Sequence, residues 1–312
     1  MNLQKLGIAI AALIATSVNL LNAAKPASSV TLVGLPGPNY LPPSPPFENS
    51  LLLFDSDKPS DVTRVPLTGA TTGFLSIDLR PANNLIYGLT SNNVYTVDPF
   101  SGATTLVSTL STPINGGFSP RAIDFDPVVD RLRVIGSVGL QNLQNFSINV
   151  DTGAVVADGP PYSYIGLYPA GIAYTNSDTD PATDTALYTV DFPGNRFANR
   201  LSVQTPPDAA VQRVGLLGLA AYGAIGDFDI VTVDGVNTAY AAAFDANNYS
   251  LFTIDLNTGG ATRIGIIGDG RRVVLGLTAA PKAVPEPTMV AGLAIVTAGL
   301  VVSRRKPKKN SI

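Results

Sequence analysis

A unit of about fifty residues occurs four times in this sequence. Each copy has a short apolar strand, a turn rich in Pro, Asn or Asp, and then three further strands separated by tight turns. The aligned first strands place four residues at equivalent positions, with spacings of 46, 49 and 56 residues: Ile77, Ile123, Ile172 and Phe228. A repeat of this length built from hairpins is typical of a β-propeller blade.

Segments near both ends of the repeat region supply a fifth unit. Residues 273–281 match a first strand, and residues 29–35, 50–57 and 61–67 match the second, third and fourth strands. We therefore predict an all-β fold over residues 29–281, a five-bladed β-propeller-like ring with N-/C-terminal strand closure. Closure of this kind hides sheet edges that would otherwise pair with other chains. An irregular six-bladed ring and a stacked β-sandwich are the alternatives.

Composition excludes several kinds of site. The chain has no His and no Cys, which excludes His-based triads, thiol nucleophiles and metal sites built from imidazole or thiolate. Between Lys25 and Pro281 there are 13 basic and 22 acidic residues, a net charge of −9. Because a negative surface repels phosphate backbones, no nucleic-acid partner is predicted.

One repeat carries a resemblance to a known family. Residues 122–156 contain the stretch DFDPVVDRLRV, followed by QN and then DTGAVV. This stretch resembles the signature of a family of secreted bacterial domains of unknown function, whose core reads DFxPxxDRLRVV. The resemblance implies a propeller-like fold in an exported protein and implies no activity. Within it, Arg131 and Arg133 alternate with Leu132 and Val134, which favours solvent-facing charges over a basic binding patch.

The N-terminal residues 1–24 have the order of a secretory signal peptide. Lys5 precedes an apolar stretch that runs from Leu6 to Leu21, and the small residues Ala23 and Ala24 follow. We therefore predict that the protein is exported and that this segment is removed.

The C-terminal residues 284–309 combine three features in a fixed order. Pro285, Glu286 and Pro287 come first, 14 uncharged residues follow from Met289 to Val302, and a basic cluster ends the segment. As a helix the uncharged run reaches about 21 Å, and the hydrocarbon core of a bilayer is about 30 Å thick. Flanking basic side chains lengthen such a span and favour a cytoplasmic tail. We predict a transmembrane-type helix here.

This order resembles the PEP-CTERM sorting signal. The resemblance implies that an exosortase-type membrane protease recognises the Pro-Glu-Pro triplet and removes the tail. The protein would then be membrane-anchored transiently before it reaches the cell surface or the extracellular matrix. A plain membrane anchor is the alternative, although an anchor alone does not require the triplet.

The aligned first strands also give a candidate ligand site in the central channel. Asp78, Asp124 and Asp229 share one position of the repeat with Ala173 and Thr278. Three carboxylates at one level suit a cation or sugar hydroxyls. The alternative is a structural role, in which each Asp accepts hydrogen bonds from a neighbouring turn and so fastens the blades together. Ala173 makes the set incomplete.

A triad and two pairs of carboxylates are further candidate sites. Asp178, Asp180 and Asp184 form an Asp-rich segment that suits calcium, but the Gly and terminal Glu of an EF-hand loop are missing. No other cofactor is predicted. The pairs Asp124/Asp126 and Asp227/Asp229 each lie on one strand face, and paired carboxylates can hydrolyse glycosides. No separation is fixed by the sequence, and the chain has no Trp for a sugar subsite.

These observations favour a non-enzymatic protein of the cell surface or extracellular matrix that binds exopolysaccharide or another surface protein. No catalytic residue is assigned. The alternative is a carboxylate-dependent glycosidase or lyase that acts on exopolysaccharide.

Overall fold

The computed structural model describes most of the repeat region. The described residues are 29–39, 49–69, 73–114, 118–138, 142–157, 167–180, 182–193, 199–205, 210–219, 225–245 and 247–282. The predicted signal peptide and the predicted sorting segment lie outside them. Among the described residues there is no helix that is long and apolar enough to cross a membrane.

Twenty strands form five antiparallel sheets of four strands each. Blade 1 contains β20 (Arg272–Ala279), β1 (Thr31–Asn39), β2 (Ser50–Asp55) and β3 (Lys58–Pro66). Blade 2 contains β4 (Ser76–Arg80), β5 (Leu85–Leu89), β6 (Asn93–Val97) and β7 (Thr104–Thr109). Blade 3 contains β8 (Phe118–Asp126), β9 (Arg131–Val138), β10 (Asn142–Asn149) and β11 (Ala154–Ala157).

The remaining two blades follow the same pattern. Blade 4 contains β12 (Leu167–Tyr174), β13 (Leu187–Pro193), β14 (Arg200–Gln204) and β15 (Gln212–Leu216). Blade 5 contains β16 (Ile225–Val233), β17 (Val236–Phe244), β18 (Tyr249–Ile254) and β19 (Ala261–Ile266). In every blade the first-named strand is the innermost, and these five strands contact one another in sequence around the ring.

The ring is closed by strands from opposite ends of the described chain. β20 pairs antiparallel with β1, with Val33 opposite Thr278 and Leu32 opposite Ala279. The four strands of blade 1 therefore have the order that the sequence predicted, and the five-bladed ring is confirmed over the six-bladed and sandwich alternatives. The predicted C-terminal helix falls on residues outside the described ranges.

The hydrophobic core is divided among the interfaces between neighbouring blades. The described residues form five buried clusters, and each joins one blade to the next. In the cluster between blades 1 and 5, for example, Leu277 and Leu32 pack with Tyr240 and Leu251. Both faces of the inner strands are thus covered, and a single blade could not bury its apolar side chains alone.

Glycine-containing turns fasten the outer parts of the blades. Gly102 and Gly153 end equivalent turns, after β6 and β10, with φ of 74° and 75°. A Cβ at Gly102 would lie 1.9 Å from the carbonyl oxygen of Pro66, and one at Gly153 would lie 2.0 Å from that of Thr109. These contacts are made with the preceding blade, so the glycine in each turn allows the blades to approach closely.

One arginine forms an ion-pair bridge between blades 2 and 3. The Arg80 guanidinium donates to both carboxylate oxygens of Asp130 and to both of Asp151, at 2.6–2.8 Å. It also donates to the hydroxyl of Tyr87 at 3.1 Å. Planar bidentate pairing of this kind needs arginine rather than lysine.

The expectation that Arg133 faces solvent is wrong. Arg133 is 6% exposed, and its guanidinium donates to Asn145 Oδ1 at 3.1 Å and to the Tyr174 hydroxyl at 2.9 Å. The reason is that the second strand of a blade lies between two neighbouring blades. An alternating side chain there meets protein on either face.

Candidate functional site

The inner strands bring three carboxylates together in the channel of the ring. Asp78 on β4, Asp124 on β8 and Asp229 on β16 each offer one carboxylate oxygen, and these oxygens lie within 4.8 Å of one another. The three side chains are 5–7% exposed. Thr278 and Ala173 hold the equivalent positions on β20 and β12, as the alignment of first strands placed them.

Hydrogen bonds around the channel connect the side chains of Asp78 and Thr278 to the next blade. Asp78 Oδ2 accepts the backbone N–H of Phe125 at 2.7 Å. Thr278 Oγ1 donates to Asp78 Oδ1 at 3.1 Å and accepts the backbone N–H of Leu79 at 3.1 Å. Each acceptor therefore binds a backbone N–H on the neighbouring inner strand. The donor is the residue that comes directly after the one at the same position of the repeat.

The other two aspartates repeat this pattern. Asp124 accepts the backbone N–H of Tyr174, and Asp229 accepts that of Ala279. Ala173 has no acceptor to offer, which interrupts the series. The carboxylates thus do connect the blades, but their partners lie on adjacent inner strands rather than in turns.

Burial raises the pKa values of all three carboxyls, and repulsion between carboxylates raises those of Asp78 and Asp124 further. For Asp78 the main cause is loss of solvent and the second is the charge of Asp229. For Asp124 the causes are loss of solvent and then the charges of Asp78 and Asp229. Burial raises the pKa of Asp229 to about 7. The opposing groups, which lower these pKa values, are backbone N–H groups and the Thr278 hydroxyl.

A fourth aspartate lies beside this cluster and was not assigned to it from the sequence. Asp227 precedes Asp229 by two residues on β16 and is 2% exposed. Its Oδ2 accepts the backbone N–H of Leu277 at 2.8 Å, and its Oδ1 is buried without a hydrogen-bond partner. Burial raises the pKa of Asp227, and the charges of Asp229 and Asp78 raise it further.

The channel carboxylates form the floor of a cleft of about 800 Å³. The residues that end β16 and β20, Val233 and Ala279, are among those that line it. Apolar and hydroxyl-bearing side chains share its lining, among them Thr31, Pro81, Phe100, Ser177, Thr232 and Val233. At its edge, Lys282 pairs with Asn84 through two hydrogen bonds of 3.0 and 3.2 Å. The chain therefore leaves the ring beside the cleft.

The other carboxylates considered from the sequence have local roles in turns. Asp178 Oδ1 accepts the N–H of Asp180, and Asp180 Oδ1 accepts that of Ala182, both at 2.9 Å. Asp184 accepts through its backbone carbonyl, from Asn176. Within the described part of the chain, the carboxylates close enough to share one metal ion are those of the channel, and these three are not among them.

Asp126 is likewise engaged in a turn, because its Oδ1 accepts the N–H groups of Val128 and Val129 at 3.0 and 3.2 Å. Asp227 and Asp229, by contrast, both lie at the channel. The sorting triplet Pro285, Glu286 and Pro287 falls outside the described residues.

Comparison with known proteins assigns this ring to a family. Residues 50–278 match the sequence profile of a domain of unknown function, DUF4394. The chain belongs to this family. Membership confirms the expected domain of unknown function, while the DRLRVV-type signature and the sorting signal remain predictions. No match was found among curated proteins.

Solved structures that resemble this DUF4394 chain do so at low sequence identity. One, from a nidogen/laminin complex, is 15% identical with a TM-score of 0.44 and covers 81% of this chain and 98% of that one. A functionally unknown protein from Desulfotomaculum acetoxidans is 16% identical, with a TM-score of 0.40, covering 74% and 68%. A Lactobacillus plantarum protein is 17% identical, with a TM-score of 0.35, covering 77% and 67%. No functional argument follows from similarity at this level.

Proposed function

We propose that this protein is an exported, non-enzymatic binding protein whose ring presents the channel cleft to a polyhydroxylated ligand such as an exopolysaccharide. The cleft itself carries this proposal, since about 800 Å³ is within the usual range of ligand pockets. Carboxylates on its floor accept hydrogen bonds from sugar hydroxyls. Pro81 and Phe100 offer apolar surface to the face of a sugar ring.

Export and surface delivery form the second part of the proposal. The order of residues 1–24 supports secretion, and residues 284–309 support recognition by an exosortase-type membrane protease. Until that step the C-terminal helix would hold the protein at the membrane. Expression with and without an exosortase tests this, with tail removal scored by mass. Glu286→Ala is expected to leave the tail attached, and loss of the tail in cells without exosortase would contradict the proposal.

Binding is tested with isolated exopolysaccharide and with a glycan array. Phe100 is 64% exposed and lines the cleft, so Phe100→Ala is expected to fold normally and to weaken binding about ten-fold. Leu106 is 54% exposed on the outer strand β7, and Leu106→Ala is the matched control that leaves binding unchanged. Absence of binding by the unaltered protein, or equal loss in both variants, would refute a glycan-binding cleft.

The alternative of a glycosidase or lyase rests on one observation. Asp229 has a pKa of about 7 and lies beside carboxylates whose oxygens are within 4.8 Å, and close carboxyl groups of which one has a raised pKa are used by glycosidases. Incubation with exopolysaccharide, scored for new reducing ends, tests this alternative. Cleavage that an Asp124→Asn/Asp229→Asn variant lacks would establish it and replace the binding role.

A further inference from the structure

We propose that the channel floor binds one divalent cation of the calcium class through the carboxylates of Asp78, Asp124 and Asp229. Asp227 would add a further oxygen, directly or through a water molecule. The proposal deepens the binding function, because the ion would lie at the floor of the same cleft and offer open coordination positions to ligand hydroxyls. Ion binding itself does not depend on the identity of that ligand.

The channel must accommodate a concentration of negative charge. Four carboxyl groups are buried within one small region, and each is at most 7% exposed. The groups that stabilise the ionised forms of Asp78 and Asp229 are backbone N–H groups and the Thr278 hydroxyl, which are neutral. Buried carboxylates without a cationic partner are costly, so they either take up protons or bind a metal ion.

Asp227 has one unsatisfied oxygen. Its Oδ1 is buried and has no hydrogen-bond partner, whereas buried polar atoms in folded proteins are almost always paired. Asp227 and Asp229 lie two residues apart on β16 and so share a strand face. The charge of Asp227 also acts on Asp124 across the channel. An ion or an ion-bound water in the channel would give this oxygen a partner.

The ligand atoms indicate the type of metal. All the available ligands are oxygens, which favours hard cations over zinc or copper. Calcium binds oxygens at about 2.3–2.6 Å, so two of its ligands on opposite sides are about 4.6–5.2 Å apart. The oxygens of Asp78, Asp124 and Asp229 already lie within 4.8 Å of one another. Oxygens this close together are compatible with shared coordination of one calcium ion.

Calcium binding to the purified full-length chain tests the proposal with no glycan present. After treatment with EDTA, calorimetry and equilibrium dialysis with CaCl2 are expected to give one calcium per chain. A hundred-fold excess over Kd is expected to raise the melting temperature by about 5–10 °C. MgCl2 in a parallel titration is expected to bind more weakly, since magnesium requires shorter distances and stricter geometry.

Variants locate the ion. Asp124→Asn is expected to weaken calcium binding at least about ten-fold. Asp191→Asn is the matched control, because Asp191 is also buried with a pKa raised to about 7 but lies on β13, bonded to Ser202. The Asp191→Asn variant is expected to bind calcium with the same affinity as the unaltered chain.

The outcomes separate this proposal from the binding function. Absence of saturable calcium binding by the unaltered chain overturns the cation site even if Asp124→Asn does not fold. Equal weakening in Asp124→Asn and Asp191→Asn overturns it too. If calcium binds but no glycan does, the cation site stands and the glycan-binding function fails. If glycan binding persists in EDTA while calcium does not bind, the glycan-binding function stands and the cation site fails.

Discussion

Removal of one channel charge is expected to stabilise the cation-free protein. Asp229 has a pKa of about 7 in the folded protein, against an ordinary value of 3.8, because it is buried. This difference makes ionisation of Asp229 cost about 4 kcal/mol of folding free energy. Since the pKa is raised, the stability associated with the neutral carboxyl is present at acid pH and is lost as the pH rises from about 3.8 through about 7.

The variant Asp229→Asn tests this reasoning, because Asn keeps an acceptor for the N–H of Ala279 and never ionises. In EDTA at pH 8 we expect it to unfold at a higher urea concentration than the unaltered protein. For a domain of this size, with an m-value of about 3 kcal/mol/M, a gain of 4 kcal/mol moves the midpoint by about 1 M. At pH 4 the two proteins are expected to unfold at similar urea concentrations.

Asp255→Asn is the control for this experiment. Asp255 lies in an exposed turn, where accepting the N–H of Asn257 lowers its pKa. Its replacement is therefore not expected to stabilise the protein at pH 8. Calcium should also reverse the ranking at pH 8 once its concentration exceeds about a thousand times Kd, since binding then contributes more than about 4 kcal/mol and stabilises only the chain with an intact cluster. A midpoint for Asp229→Asn at or below that of the unaltered protein, in EDTA at pH 8, would refute this account of the channel charges.

Three further predictions concern the ring, each read from urea denaturation. Gly276→Ala is expected to destabilise by about 1–3 kcal/mol, because a Cβ there would lie 2.8 Å from a backbone nitrogen of β4, whereas Gly73→Ala has open space and should be neutral. Leu277→Ala on the closing strand should cost about 2–5 kcal/mol, against about 0.5 or less for the exposed Leu106→Ala. Arg80→Met should cost about 2 kcal/mol, reduced from the value for a fully buried pair because its aspartate partners are 38% and 57% exposed. If a variant unfolds at the same urea midpoint as the protein with which it is compared, the role given to the corresponding contact is wrong.

The repeat made most of the architecture predictable. Hairpin-like units of similar length gave the strand order within each blade, and the leftover segments identified the closing pair β20 and β1. The same alignment predicted that Asp78, Asp124 and Asp229 lie at one level. The alignment located them because the first strand of every blade lines the channel. Residues at the same position of the repeat therefore lie at the same level of the channel.

The contacts of the channel and of the blade interfaces could not be predicted in this way. The partner of Asp227 is the N–H of Leu277, on an inner strand of another blade, and no local pattern relates the two. Arg133 was misplaced for a related reason. Alternation separates core from solvent only where one strand face is open, and the second strand of a blade, which carries Arg133, lies between two neighbouring blades.

An anomalous difference map from crystals grown with calcium tests the central claim most directly. We expect one calcium peak in the channel, about 2.3–2.6 Å from one oxygen of each of Asp78, Asp124 and Asp229. A channel without such a peak, with neighbouring carboxyl oxygens only about 2.5–2.7 Å apart, would show that shared protons hold the cluster together and would contradict the account.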